Sequence, residues 1–140
     1  MKVRDVMSGK VVSVAPGESV EVAARTLAQY NIGILPVCSN GRLKGLVTDR
    51  DLVTRCLAAN RTPATTTVAQ VMTERLVTVA PDTDVCMAAH LMGSRQVRRL
   101  PVVDGDRLCG MVSLKDLAVR EETAMDAADA LTDISSNIRR

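Results

Sequence analysis

Gly45-Leu46-Val47-Thr48-Asp49-Arg50-Asp51 stands 65 residues ahead of Gly110-Met111-Val112-Ser113-Leu114-Lys115-Asp116. Each segment runs from an apolar stretch through a hydroxyl residue into a charged turn that closes on an aspartate. The same offset pairs Leu35-Pro36-Val37 with Leu100-Pro101-Val102 and Val14-Ala15-Pro16 with Val79-Ala80-Pro81. It also pairs Ala23-Ala24 with Ala88-Ala89 and Val6-Met7 with Val71-Met72. Residues 5–55 laid without a gap on 70–120 give 19 identities in 51 positions. Average amino-acid usage would give about three or four. The chain is an internal duplication. Repeats this long do not make an open solenoid, whose units are shorter and more numerous. They suggest two units that close on each other with approximate two-fold symmetry.

Each copy switches periodicity in the same order. Val11 to Val14 reads as a short extended segment ended by Ala15-Pro16-Gly17. Ser19 caps a helix with apolar positions at Val20, Ala23, Ala24 and Leu27, stopped by Asn31 and Gly33. Ile34 to Cys38 is a strand, Ser39-Asn40-Gly41 a hairpin turn, and Leu43 to Thr48 the returning strand. A second helix starts near Asp49. The second copy repeats this with Leu76 to Val79, a helix over Asp84 to Met92, Leu100 to Val103, the turn Asp104-Gly105-Asp106, Leu108 to Ser113, and a helix from Leu114. The fold class is α+β, with two βαββα repeats in a pseudo-two-fold pair and a C-terminal helical tail. The Ala- and Thr-rich stretch from Ala58 to Thr67, with Pro63, connects the copies. The chain divides into a first repeat over 1–60, a linker over 61–67, a second repeat over 68–120 and a tail over 121–140. The tail is amphipathic and reads as helical from Ala124 to Ile134, packing on a partner or on the chain's own face.

Composition narrows the functional classes. With 46% hydrophobic and 24% charged residues, the chain of 140 residues has the balance of a globular protein. Aromatic residues are reduced to Tyr30, so the core must be aliphatic. A net charge of +2, basic residues scattered apart from Arg98-Arg99 and Arg139-Arg140, and the lack of a stacking platform argue against nucleic-acid binding. No apolar run approaches the roughly twenty residues that span a bilayer, and the N-terminus has no signal-peptide core, so a cytoplasmic location is expected. Cys38, Cys56, Cys86 and Cys109 form no C-x-x-C pair, and His90 is the sole histidine. This spacing offers no metal site. The thiols read as small buried hydrophobes, with a redox route left open for Cys38 and Cys109 near strand ends. No nucleophile, base or metal with tuned neighbours is legible, so an enzyme is not expected.

The repeated G-x-x-[ST]-x-x-D segment carries the chemistry. Thr48 and Ser113 suit a helix N-cap, and Asp51 and Asp116 three residues later complete a capping box. The same groups also describe a nucleotide site. A helix start and a cap hydroxyl suit a phosphate, and a carboxylate, which only accepts hydrogen bonds, suits ribose hydroxyls. Arg50 or Lys115 adds charge at the phosphate end, and Arg98 and Arg99 lie beside it. Pro36 and Pro101 place their strands at an edge. Edge backbone there can read an adenine rim, with Ile34 and Leu35 against its face. As a structural reading, Leu35, Val37, Leu100 and Val102 are aliphatic core.

The paired D-V-M-like openings, the V-x-P turn, the [IV]-x-x-L-P-V strand and G-x-V-[TS]-x-x-D resemble a tandem pair of CBS domains, often called a Bateman module. The resemblance covers about residues 3–120. Asp49-Arg50-Asp51-Leu52 and Val97-Arg98-Arg99-Leu100-Pro101-Val102 are similar to the small stand-alone bacterial members, some of them hypoxia- or stress-response proteins. It implies a regulatory module that dimerises into a flat homodimeric disc and acts on an effector protein. It also implies adenosine-type ligands (AMP, ADP, ATP or S-adenosylmethionine) in clefts between the repeats, with no cofactor required. Thr48 and Asp51 would serve one site, Ser113 and Asp116 the other. The candidate ligand-binding residues are Ile34, Leu35, Pro36, Thr48, Arg50 and Asp51 in the first copy. In the second they are Val79, Arg98, Arg99, Leu100, Pro101, Ser113, Lys115 and Asp116. Gly33-Ile34 stands where the second copy has Arg98-Arg99, so the two sites should differ in charge. The competing reading is a ligand-independent interaction module that works through its dimer surface and tail.

Overall fold

A computed structural model describes residues 1–136; residues 137–140 of the expected tail, with Arg139-Arg140, lie outside the described residues. In chain order the elements are α1 (Val3–Val6), α2 (Val20–Tyr30), β1 (Ile34–Ser39), β2 (Arg42–Thr48), α3 (Asp49–Leu52), α4 (Val68–Val71), α5 (Val85–Arg95), β3 (Arg99–Asp104), β4 (Arg107–Ser113), α6 (Leu114–Ala118) and α7 (Ala124–Ser135). A π turn, Val53–Leu57, continues α3, and a 3-10 turn, Glu121–Thr123, leads into α7.

These elements sort into two compact units. Unit I is Val12–Leu76, and unit II combines Met1–Val11 with the described residues from Val77 onward. The units therefore cut across the sequence repeats. The Val-Met opening of each copy lies in the unit that holds the other copy's hairpin: Val6-Met7 in unit II, Val71-Met72 in unit I.

Unit I forms as its sequence dictates. The Ser19 hydroxyl accepts from the Val22 amide at 3.1 Å, capping α2. Val20, Ala23 and Leu27 face inward at helical spacing, and Asn31 in the left-handed region (φ 52) ends the helix. β1 and β2 pair antiparallel from Ile34↔Thr48 to Ser39↔Arg42. Asn40 and Gly41, both at positive φ (54 and 79), make the two-residue turn whose twist suits a hairpin. A two-stranded hairpin is marginal alone. Here it is buried against α2, α3 and α4 through Leu35, Val37, Val47, Leu52, Val68 and Val71. Burying a Val or Leu side chain contributes roughly 1.5–3 kcal/mol.

Unit II repeats the plan. Asp84 caps α5 by accepting from the Cys86 amide at 2.9 Å, and Gln96 (φ 56) closes it. β3 and β4 pair from Arg99↔Ser113 to Asp104↔Arg107, with Gly105 at φ 66 in the turn. The core joins Val3, Val6, Leu100, Val102, Val112 and Leu117 to Ala127, Ala130 and Ile134 of α7. Both cores are aliphatic, and Tyr30 is half exposed.

Three expectations need correction. The first extended segment of each copy contracts to one parallel bridge, Val14 on Val37 and Val79 on Val102. The Val14 amide donates to the Pro36 carbonyl at 3.0 Å, and the Cys38 amide to the Val14 carbonyl at 2.9 Å. Ala24 is exposed on α2 although its counterpart Ala89 is buried. Cys56 is buried and Cys38 and Cys109 are half-buried, but Cys86 is exposed, so the thiols are not uniformly core.

The repeated glycine of the G-x-x-[ST]-x-x-D segment has a packing reason. The lead-in chain bridges the returning strand at that point: Leu46 with Thr73 in unit I and Ser8 with Met111 in unit II. A Cβ on Gly45 would lie 2.7 Å from the Met72 sulfur and 2.8 Å from the Thr73 carbonyl oxygen. On Gly110 it would lie 2.5 Å from the Ser8 carbonyl oxygen. Arg55 and Arg120, also a repeat pair, brace the same approach. Arg55 donates to the Val71 carbonyl at 3.0 Å, and Arg120 to the Asp5 carbonyl at 3.4 Å.

Candidate functional site: the strand-to-helix corners

At each corner a strand ends on a hydroxyl residue and a short helix begins. In unit II the Ser113 hydroxyl accepts from the Asp116 amide at 3.2 Å, and the Asp116 carboxylate accepts from the Ser113 amide at 2.8 Å. In unit I Thr48 and Asp51 make the same reciprocal pair at 3.1 and 3.0 Å. Both are full capping boxes, a motif in which the cap is worth about 1 kcal/mol. The α-helices that follow are four and five residues long, and α3 runs on into the π turn Val53–Leu57.

Capping does not exhaust these groups. Each hydroxyl accepts a bond there and keeps its own O–H to donate. Each carboxylate uses one oxygen on the cap. The second oxygen of Asp51 is 3.7 Å from the Arg55 guanidinium, and that of Asp116 has no partner among the described residues.

The surroundings separate the two corners. In unit II a cleft of about 420 Å³ is lined by Arg98, Arg99, Ser113, Leu114, Lys115, Ala118 and Leu131. Arg98, Arg99 and Lys115 are exposed and make no ion pair among the described residues. Three cations around one concavity give it a positive potential. In unit I the counterparts are Gly33, Ile34, Thr48, Asp49 and Arg50. The Asp49 carboxylate lies beside Gly33, with one oxygen 3.3 Å from where a Cβ would stand, and its other oxygen accepts from the Arg50 amide at 2.8 Å. A carboxylate thus occupies the region where unit II has cations.

The remaining sequence-derived residues are placed as follows. Leu35, Leu100 and Val79 are buried, so their side chains are taken up by the cores. Pro36 and Pro101 are buried, and their carbonyls accept from Val14 and Val79. By the alternation of an antiparallel ladder, Ile34 and Arg99 turn their peptide groups to the outer strand edge. The structure brings Arg98, Arg99, Ser113 and Lys115 together in one cleft; Asp116 is not among the lining residues and is linked to it through its capping bonds with Ser113. Sequence reasoning missed Leu114, Ala118 and Leu131. The first two sit beside named residues, but Leu131 belongs to the unrepeated tail and carries no repeat signal.

The thiols differ in environment. Burial pushes the Cys38 thiol up, partly offset by a hydrogen bond with Ser13. Cys86 is also pushed up, chiefly by its hydrogen bond to Asp126 at 3.3 Å and by the charge of that carboxylate. No group of three His, Cys, Asp or Glu residues among the described ones is placed to hold a metal ion. No helix among them is long and apolar enough to cross a membrane.

The family model described as the CBS domain matches residues 3–58 and again 68–123. The chain belongs to the CBS-domain family. It is a tandem CBS pair, and members of this kind are regulatory modules. Over 133 residues the pair is 41% identical to the CBS domain-containing protein YhcV of Bacillus subtilis, covering 95% of this chain and 94% of that one. The crystal structure of Hypoxic Response Protein I with two coordinated zinc ions matches it with a TM-score of 0.77 at 34% identity, covering 84% of this chain and 97% of the other. The CBS domain pair of protein MJ0100, in complex with 5′-methylthioadenosine and S-adenosyl-L-methionine, matches with a TM-score of 0.74 at 29% identity, covering 84% and 93%.

Proposed function

We propose that this CBS pair is a non-catalytic sensor that binds adenosine-type ligands, AMP, ADP, ATP or S-adenosylmethionine, at its strand-to-helix corners. The observation that carries this is the unit II cleft, where three cations and a donor-capable hydroxyl meet, with Asp116 hydrogen-bonded to that hydroxyl residue. Arg98, Arg99 and Lys115 would hold phosphate, the Ser113 O–H would donate to it, and the open oxygen of Asp116 would accept from ribose hydroxyls. The outward peptide groups of Arg99 and Ile34 would read the adenine rim. Thr48, Arg50 and Asp51 would serve the second, less cationic site. The MJ0100 pair, in complex with two adenosine derivatives, supports this ligand class. In this reading the protein acts as a homodimer on an effector protein, and ligand occupancy shifts the population of states that the effector meets.

The test is the ligand-induced rise in melting temperature, which follows from mass action on the folded state. AMP, ADP, ATP and S-adenosylmethionine are titrated against the unaltered chain and Asp116→Asn. The asparagine keeps one oxygen for the cap and places an amide donor where ribose needs an acceptor. The expected result is a rise of several degrees with at least one ligand, reduced in Asp116→Asn relative to that variant's own baseline. No response to any of the four would overturn the reading.

A further inference from the structure

Helix α7 has no counterpart in the first repeat, yet it is built into unit II. Ala127, Ala130 and Ile134 are buried in that core. Its backbone lies over Gly93 of α5, where a Cβ would meet Ala130 Cα at 3.3 Å and Asp133 Oδ2 at 2.9 Å. The Gln96 side-chain Nε2 donates to the Asp133 backbone carbonyl at 3.4 Å. At the entry to α7 the buried Thr123 hydroxyl donates to the Leu117 carbonyl of α6 at 2.6 Å. The helix is therefore tied to both α5 and α6, and α6 begins inside the cationic cleft. Of the two exposed large apolar side chains on α7, Met125 and Leu131, it is Leu131, 42% exposed, that lines that cleft with Arg98, Arg99, Ser113 and Lys115. An exposed leucine facing three cations is a poor solvent contact and a good wall for the apolar part of a ligand whose charged end meets the cations.

We propose that α7 is a wall of the unit II ligand site, with Leu131 as its specificity-determining contact, so that an anionic nucleotide bound there holds α7 on its unit. This rests on the nucleotide reading above and adds to it the element that senses occupancy. A ligand that touches α7 only when the helix is docked must favour docking by the factor by which docking favours the ligand. The unit I site has no such helix, so only one of the two sites is coupled in this way.

The test is titration calorimetry with ATP at low salt on the unaltered chain, Leu131→Glu and Leu131→Lys, with hydrogen exchange of residues 124–135 measured with and without ATP. The unit II site is identified as the one lost in Arg98→Ala/Arg99→Ala. Because Leu131 is partly exposed, neither substitution disturbs the core. The glutamate is expected to weaken this site about tenfold and the lysine to tighten it about threefold, by placing a charge of either sign against the bound anion. ATP is expected to slow exchange along α7. Binding to the unaltered chain with neither variant differing from it, or α7 exchange unchanged at saturation, overturns this inference and leaves the nucleotide reading standing. No ATP binding by the unaltered chain, with none of the four ligands raising its melting temperature, overturns both.

Discussion

In unit II, Ala89 and Gly93 of α5 are buried, Gly93 beneath α7, whereas Ala24 and Ala28, their counterparts on α2 of unit I, are exposed. The corners differ in the same direction. Unit II presents Arg98, Arg99, Leu114 and Lys115 where unit I presents Gly33, Ile34, Asp49 and Arg50. Beneath these differences the backbone is the same: capped helix, left-handed stop, bulged hairpin, bridge to the lead-in chain, capping box. What the copies share is what the backbone needs in order to fold. What they do not share is the lining of the cleft and the helix over it.

This contrast can be broken at several points. The largest effect is expected where the units should behave alike. Gly45→Val and Gly110→Val each force a side chain against a carbonyl oxygen of the lead-in chain and should destabilise by about 3 kcal/mol. Urea denaturation checks this, and a loss confined to one variant would show that the corners are not equivalent. A smaller effect should expose the asymmetry. Gly93→Leu displaces α7 and should cost roughly 1–3 kcal/mol, while Ala28→Leu at the matching exposed position should stay within about 0.5 kcal/mol. Equal costs would mean that α7 contributes nothing to unit II.

The smallest effect concerns Cys86. The Asp126 carboxylate of α7 favours the protonated thiol, so the thiolate fraction near pH 8 is depressed. Asp126→Asn removes that charge, lowers the thiol toward its ordinary range and should speed alkylation of Cys86 about two- to fivefold. Cys38, held up by burial instead, should not change. In unit I the counterpart of Cys86 is Glu21, paired with Arg25 at 2.9 Å on its own helix, so no comparable link exists there.

Much of this is legible in the sequence. The offset of 65 residues, the Ser19 cap, the Asn31 stop, the Asn40-Gly41 turn and the helix from Ala124 all follow from local rules, because each depends on residues within a few positions of one another. The capping boxes are legible as well, and they are present at both corners. The first strand of each copy is shorter than its residues suggest. Val11 and Val12 are of the right residue type for a strand, but in that stretch only Val14 finds a backbone partner, and pairing is not encoded in the segment itself.

The sequence by itself determined the duplication, the succession of capped helix, hairpin and second helix in each copy, and the charge difference between Arg98-Arg99 and Gly33-Ile34; the short helices α1 and α4 were not legible in it. Tertiary structure alone decided that each Val-Met opening joins the other copy's hairpin, that Gly45 and Gly110 are required by a carbonyl oxygen, and that Leu131 reaches the cleft. The division has one physical cause. Helix caps, turns and periodicity are set by neighbours in the chain, whereas the packing partner of a small residue or an exposed leucine is set by elements tens of residues away.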